Sequence, residues 1–128
     1  MARGTFNGAV ALVEGVLTDA GHAILPEDVV RDGRNGAILS LAPVDTAPLT
    51  YGINRQSFEF TVTLGAAGVR ARGVEQERSM TEACLALQED YREASNADYQ
   101  FLLNYSMDVF TQEQTVFGNI SAVIEYEV

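Results

Sequence analysis

The chain ends in two long runs of strict alternation, and these constrain the fold more than any other stretch. In the first, Phe101, Leu103, Tyr105, Met107 and Val109 alternate with Leu102, Asn104, Ser106 and Asp108. The polar segment Thr111-Gln112-Glu113-Gln114-Thr115 follows. In the second, Ile120, Ala122, Ile124, Tyr126 and Val128 alternate with Asn119, Ser121, Val123, Glu125 and Glu127. Successive strand side chains point to opposite faces, so a period of two over both runs predicts a long hairpin with one face buried. Ile120, Ala122, Ile124 and Tyr126 are expected beneath helices. Asn119, Ser121, Glu125 and Glu127 are expected on the opposite face. Strands of about ten residues exceed the usual five or six. A chain that commits so much length to one hairpin is suited to building an assembly rather than housing a reaction centre.

The remaining elements follow from spacing and punctuation. Phe6, Val10, Val13 and Leu17 fall at helical intervals, widened by Ala9, Leu12 and Val16, which predicts a helix from Thr5 to Ala20. Thr5 is placed to cap it and Gly21 to end it. Ile24 to Gly36, with Pro26 and the turn dipeptides Asp32-Gly33 and Asn35-Gly36, reads as a connection. Ala37 to Ala42 is a short apolar run, expected as a central strand covered on both faces. Pro43 to Tyr51 has no period and is expected as an exposed loop. From Asn54 to Leu64, Phe58, Phe60, Val62 and Leu64 alternate with Ser57, Glu59, Thr61 and Thr63, a clear strand. Gly65-Ala66-Ala67-Gly68 reads as a break. Ser79-Met80-Thr81-Glu82 matches a capping box that opens a second helix, with Met80, Ala83, Cys84, Leu87 and Tyr91 on one face and Asn96 as the stop. The expected fold is α+β, in the order α-β-β-α-β-β. About four strands form a mixed or antiparallel sheet, two helices pack on one face, and a long C-terminal hairpin closes a single domain over residues 1–128.

Charge narrows the partners. Eighteen Asp and Glu face eight basic residues, all of them Arg, for a net charge of −10. Such a surface repels a phosphate backbone, so indiscriminate nucleic-acid binding is disfavoured. One cysteine, Cys84, leaves no intramolecular disulfide and no cysteine-based zinc site within one chain. No run approaches the roughly 18 apolar residues of a membrane span. The apolar run Ala9 to Val13 is cut by Glu14, with no small-residue cleavage site after it, so a cytoplasmic origin is expected.

No catalytic constellation stands out. His22 is the lone histidine, with no second imidazole for a metal site or a proton relay, and is expected at the surface. Cys84 lies on the apolar side of its helix, near Glu82, which favours a packed thiol over a reactive thiolate. Asp28, Asp32 and Asn35 lack the spacing and terminal Glu of a calcium loop. Gly33-Arg34-Asn35-Gly36 precedes a strand and is no phosphate fingerprint. Asn119-Ile120-Ser121 matches a glycosylation sequon by chance. No catalytic, cofactor-binding or metal-binding residue is assigned, and the chain is not expected to be an enzyme. Arg55, Arg70 and Arg72 flank the Phe58 strand and suit pairing with acidic surfaces of a neighbouring copy. Tyr51, Phe117 and Tyr126 are candidate interface aromatics, and the latter two are equally suited to the core.

The ending Asn119 to Val128, the turn Asp32-Gly33-Arg34 before the strand Ala37 to Leu41, and the irregular stretch before Phe58 to Leu64 together resemble the tail terminator proteins of long-tailed phages, of the lambda type. Element order and length agree over nearly the whole chain. The resemblance implies a ring, usually a hexamer, that caps the last ring of tail-tube protein, stops polymerisation and meets the head connector. DNA would pass through its centre only as cargo, no membrane would be involved, and the protein would sit in the virion neck after assembly in the host cytoplasm. The expected contact regions are Pro43–Ile53 and Gly65–Glu77, with Asp45, Thr46, Leu49, Tyr51, Arg55, Arg70, Arg72, Glu125 and Glu127 as interface candidates. Glu59 and other exposed acids are candidates for the lumen. The alternatives are a head-completion protein, a tube subunit, or a small ligand-binding domain that uses its carboxylates.

Overall fold

The computed structural model describes residues 4–25, 36–66, 73–112 and 115–128. Helix α1 spans Phe6–Asp19. Strands β1 (Gly36–Leu41), β2 (Asp45–Thr50) and β3 (Ile53–Ala66) follow. Helix α2 spans Gly73–Ala94, and β4 (Tyr99–Gln112) and β5 (Thr115–Glu127) close the chain. The class is α+β with a five-stranded antiparallel sheet. The order is β1-β3-β5-β4, with β2 also on β3.

The two alternating runs at the chain's end do form a hairpin, and β3 joins β5 rather than β4. Phe58, Phe60 and Val62 sit opposite Ile124, Ala122 and Ile120. All six are buried, together with Leu64, Phe101, Val116 and Tyr126. This face carries both helices. Tyr91 of α2 packs at 5.0 Å from Phe60 and 5.2 Å from Phe101, ring centre to ring centre. Phe6 of α1 meets Phe58 edge-on at 5.3 Å. A fully buried ring such as Phe58 or Phe60 contributes about 1.5–3 kcal/mol, so these aromatics help hold the layers together, Phe6 less so because it stays partly exposed.

Local signals act as expected in α1. The Thr5 side chain accepts from the Gly8 N–H at 3.0 Å, and Gly21 takes φ +88° just past the end. Asn96 ends the second helical region differently. Its Oδ1 accepts from the N–H groups of Asp98 and Tyr99, turning the chain into β4.

Five expectations are corrected. The Ala37 run is an edge strand, not a central one: among the described strands β1 pairs only with β3, and its outer side carries just a single parallel bridge from Ile24 to Ala37. Its burial falls from Gly36 to Leu41. The buried end is covered by the preceding chain, where Ala37 exchanges backbone hydrogen bonds with Ala23 and Leu25. Pro43–Tyr51 is not a loop, since it contains β2, whose six residues are all exposed. With neither face buried nothing selects alternation, so the strand leaves no period in the sequence. Helix α2 begins at Gly73, two turns before the expected Ser79, and the capping-box residues lie inside it. Glu75, Gln76, Glu77 and Arg78 are all good helix formers, so nothing stops the helix there. The sheet therefore has five strands, not about four, in the order α-β-β-β-α-β-β. Gly65 and Ala66 belong to β3.

Strand β4 carries a register shift between Asn104 and Met107, opposite Ser121 and Ile120. Two residues are inserted rather than one, so the alternation survives the bulge. Phe101 is buried, and Met107 and Val109 still pack against the core.

Candidate interaction surface

Both helices occupy one face of the sheet and leave the other open. Cross-strand register sets what this face displays. Its centre is hydroxyl and amide. Thr61 Oγ1 and Ser121 Oγ lie 3.2 Å apart, and Thr63 Oγ1 donates to Asn119 Oδ1 at 2.7 Å. The Asn119 side chain is thus committed to a polar ladder between β3 and β5. At one end Phe110 and Phe117 stack with centroids 5.4 Å apart. At the other end Arg55 lies opposite Glu127, and Ser57 and Gln100 lie opposite Glu125. Arg55, Ala97, Asp98, Gln100, Glu125, Tyr126 and Glu127 line a shallow depression of about 280 Å³ there. Among the described residues Arg55 has no carboxylate within ion-pair distance, although Glu127 is its strand neighbour. Glu59 is exposed on the same face.

The second feature is the β2 arm. Asp45, Thr46 and Leu49 lie on it, all exposed. Tyr51 and Gly52 form the turn into β3, with Tyr51 fully exposed and Gly52 at φ +79°. Leu41, Val44 and Leu49 are also exposed, so the arm presents apolar side chains to solvent.

The sequence candidates therefore divide. Arg55, Glu125 and Glu127 share one depression. Asp45, Thr46, Leu49 and Tyr51 form the arm beside it. Arg70, Arg72 and the middle of the expected Gly65–Glu77 contact region lie outside the described residues, as do Asp28, Asp32 and Asn35. Tyr126 is core, 3 % exposed, and Phe117 is half-buried on the open face. Asp98, Gln100 and Phe110 carry no sequence signal of their own. Only the strand register brings them to the candidates.

The isolated groups behave as packed residues. Cys84 is fully buried, and burial pushes its thiol up to about 11, far from a thiolate nucleophile at neutral pH. His22 is half-buried rather than on the open surface. Burial pushes its imidazole below the ordinary value, while Asp90 pulls the other way. Among the described residues no three His, Cys, Asp or Glu side chains converge in a metal-holding arrangement. No helix among them is long and apolar enough to cross a membrane. Compared with models of known protein families and with curated proteins, the chain matches none.

Proposed function

We propose that this chain is a structural component of a phage tail, a terminator whose copies close into a ring on the end of the tail tube. The observation that carries the reading is the β2 arm. It is a strand exposed on both faces, next to exposed Val44 and Tyr51, and among the described residues nothing covers it, which suits it to docking on another chain. A head-to-tail contact between such an arm and a different surface of the next copy is heterologous, and closes into a ring when the rotation per subunit permits. The open sheet face supports the same reading. Its centre is Thr, Ser and Asn, flanked by Glu59, Glu125 and Glu127, which suits a lumen that lets DNA pass without retaining it.

The tail tube protein and the head connector are the remaining partners in this proposal. The test is mass photometry and negative-stain imaging of the protein alone and with purified tail tubes. The expected result is a single ring that binds tube ends and stops further tube growth. Long cylinders would assign the chain to the tube itself. A strict monomer that never binds tube ends would remove the reading.

A further inference from the structure

Among the described residues, the two edges of this sheet are closed at opposite corners and open at the other two. At one edge Ala37 turns its N–H and C=O outward, and both are taken by Ala23 and Leu25. At the other edge Tyr99 and Phe101 turn outward and are met by Asn96 and Ser95. The open stretches follow from the alternation of hydrogen-bond direction along each strand. Asn54 exchanges both backbone hydrogen bonds with Val128. Pro48, opposite Asn54, and Thr46, two residues before it, therefore face away from β3. By the same alternation Met107, Val109 and Thr111 face away from β5. No backbone partner for these five residues lies on the outer side among the described residues.

We infer that the free edge of β4 at Met107–Thr111 pairs antiparallel with the free edge of β2 in the next copy, making one sheet continuous through the assembly. The inference rests on the reading that copies of this chain assemble. Three observations favour β2 of another copy as the occupant. The sheet is four strands wide, with every neighbour antiparallel, so its two edges run in opposite directions. A copy placed alongside without inversion thus presents β2 antiparallel to β4. The open stretches complement each other. β4 offers three N–H and three C=O groups, whereas Pro48 leaves β2 with one N–H and two C=O. Two β2 edges would lack donors for each other, so Pro48 disfavours self-pairing of the arm. Finally, the pairing covers the fully exposed strand.

The geometry also sets a stagger. Thr46 is level with Gln56, and Val109 is level with Leu64 through Gly118, eight positions apart along β3. Each junction thus displaces the next copy by about 27 Å along the strands. A steady displacement of this kind is what strand tilt requires when a sheet closes on itself.

Proline at an outward position removes the intermolecular donor without touching a ladder bond inside the chain. The test compares wild type with Thr46→Pro and Val109→Pro by native mass spectrometry and amide hydrogen exchange, with melting curves to confirm folding. The expected result is a loss of assembly of at least tenfold in each folded variant. Amides of Met107, Val109 and Thr111 should be slow to exchange in the wild-type assembly and fast in the monomers. Should Val109→Pro fail to fold, Thr46→Pro on the exposed arm decides alone. Wild-type assembly by folded Thr46→Pro overturns the inference while leaving the ring reading intact. If in that case Val109→Pro is monomeric, β4 pairs with itself about a two-fold axis. A wild type that never assembles removes both.

Discussion

The hydroxyl of Tyr91, on α2, donates to the carbonyl oxygen of Val13, in the middle of α1, at 3.0 Å. Both residues are fully buried. The bond joins the helices at the point where Tyr91 also packs on Phe60 and Phe101. Tyr91→Phe keeps the ring and removes the bond. It should cost about 1 kcal/mol, read as a lower denaturation midpoint with an unchanged slope. Tyr91→Ala should cost about 3–5 kcal/mol, because it also opens a cavity beneath both aromatics.

Tyr126 gives the opposite sign from the same substitution. Its ring is held by Phe58 and Tyr99, but among the described residues its buried hydroxyl has no hydrogen-bond partner. A polar group taken out of water without a partner costs about 1–3 kcal/mol. Tyr126→Phe should therefore be neutral or raise stability by about 1 kcal/mol. A clear loss in chemical denaturation would show that the hydroxyl is satisfied in solution.

These two tyrosines mark the limit of what the sequence discloses. Period places both of them on the core side, because alternation and helical spacing report which face is buried. Period says nothing of which carbonyl a hydroxyl meets. The same limit explains β2. One buried face writes alternation into a sequence, and β2 has none, so it reads as a loop. It also explains the surface. Arg55, Glu125 and Glu127 are identifiable as surface charges, but their convergence with Asp98 and Gln100 depends on the register across β3, β5 and β4. That register includes a two-residue bulge with no Gly or Pro to announce it. The Ala37 run misleads for a related reason. A stretch buried by a covering segment and one buried between two strands are equally apolar.

At Gly118 of β5 the side chains of α2 pack directly onto the strand backbone. A Cβ added there would collide with the Cys84 sulfur and would lie 2.9 Å from Met80 Cγ. Gly118→Ala should destabilise by about 1–3 kcal/mol through overpacking. Removing the sulfur should return part of that loss. In a double-mutant cycle with Cys84→Ala, the two substitutions together should cost less than the sum of their separate costs. Strict additivity in thermal or chemical denaturation would mean that the helix moves away as a body.

His22 makes stability depend on pH. Burial holds its folded-state value below the ordinary one, so the unfolded chain takes up the proton first as pH falls below about 6.5. The contribution is thus fully present above about pH 6.5 and is lost as pH falls through the lowered folded value. Asp90 opposes the shift and limits its size. Between about pH 7 and pH 5.5 the melting temperature of wild type should fall further than that of His22→Gln. The two proteins share every other titratable group, so the difference isolates the imidazole. Parallel curves would place His22 in free solvent.

Glu125 and Glu127 separate folding from assembly. Both point to the open face of β5, while their neighbours Ile124 and Tyr126 are buried on the other side. The double variant Glu125→Lys/Glu127→Lys leaves the core intact. At position 127 it sets a second cation opposite Arg55, a like-charge pair across strands, and at position 125 it adds another to the same depression. The folding cost should stay within about 1 kcal/mol. If this acidic end of the sheet faces a neighbouring subunit or the lumen, reversing both charges in every copy changes the potential at all equivalent sites of a ring at once. The assembled fraction should then fall far more than stability does. Denaturation curves and mass photometry on one preparation give both quantities. Glu125→Gln/Glu127→Gln, which removes charge without reversing it, should fall between. Proportionate loss of folding and assembly would mean that the hairpin acts only as core.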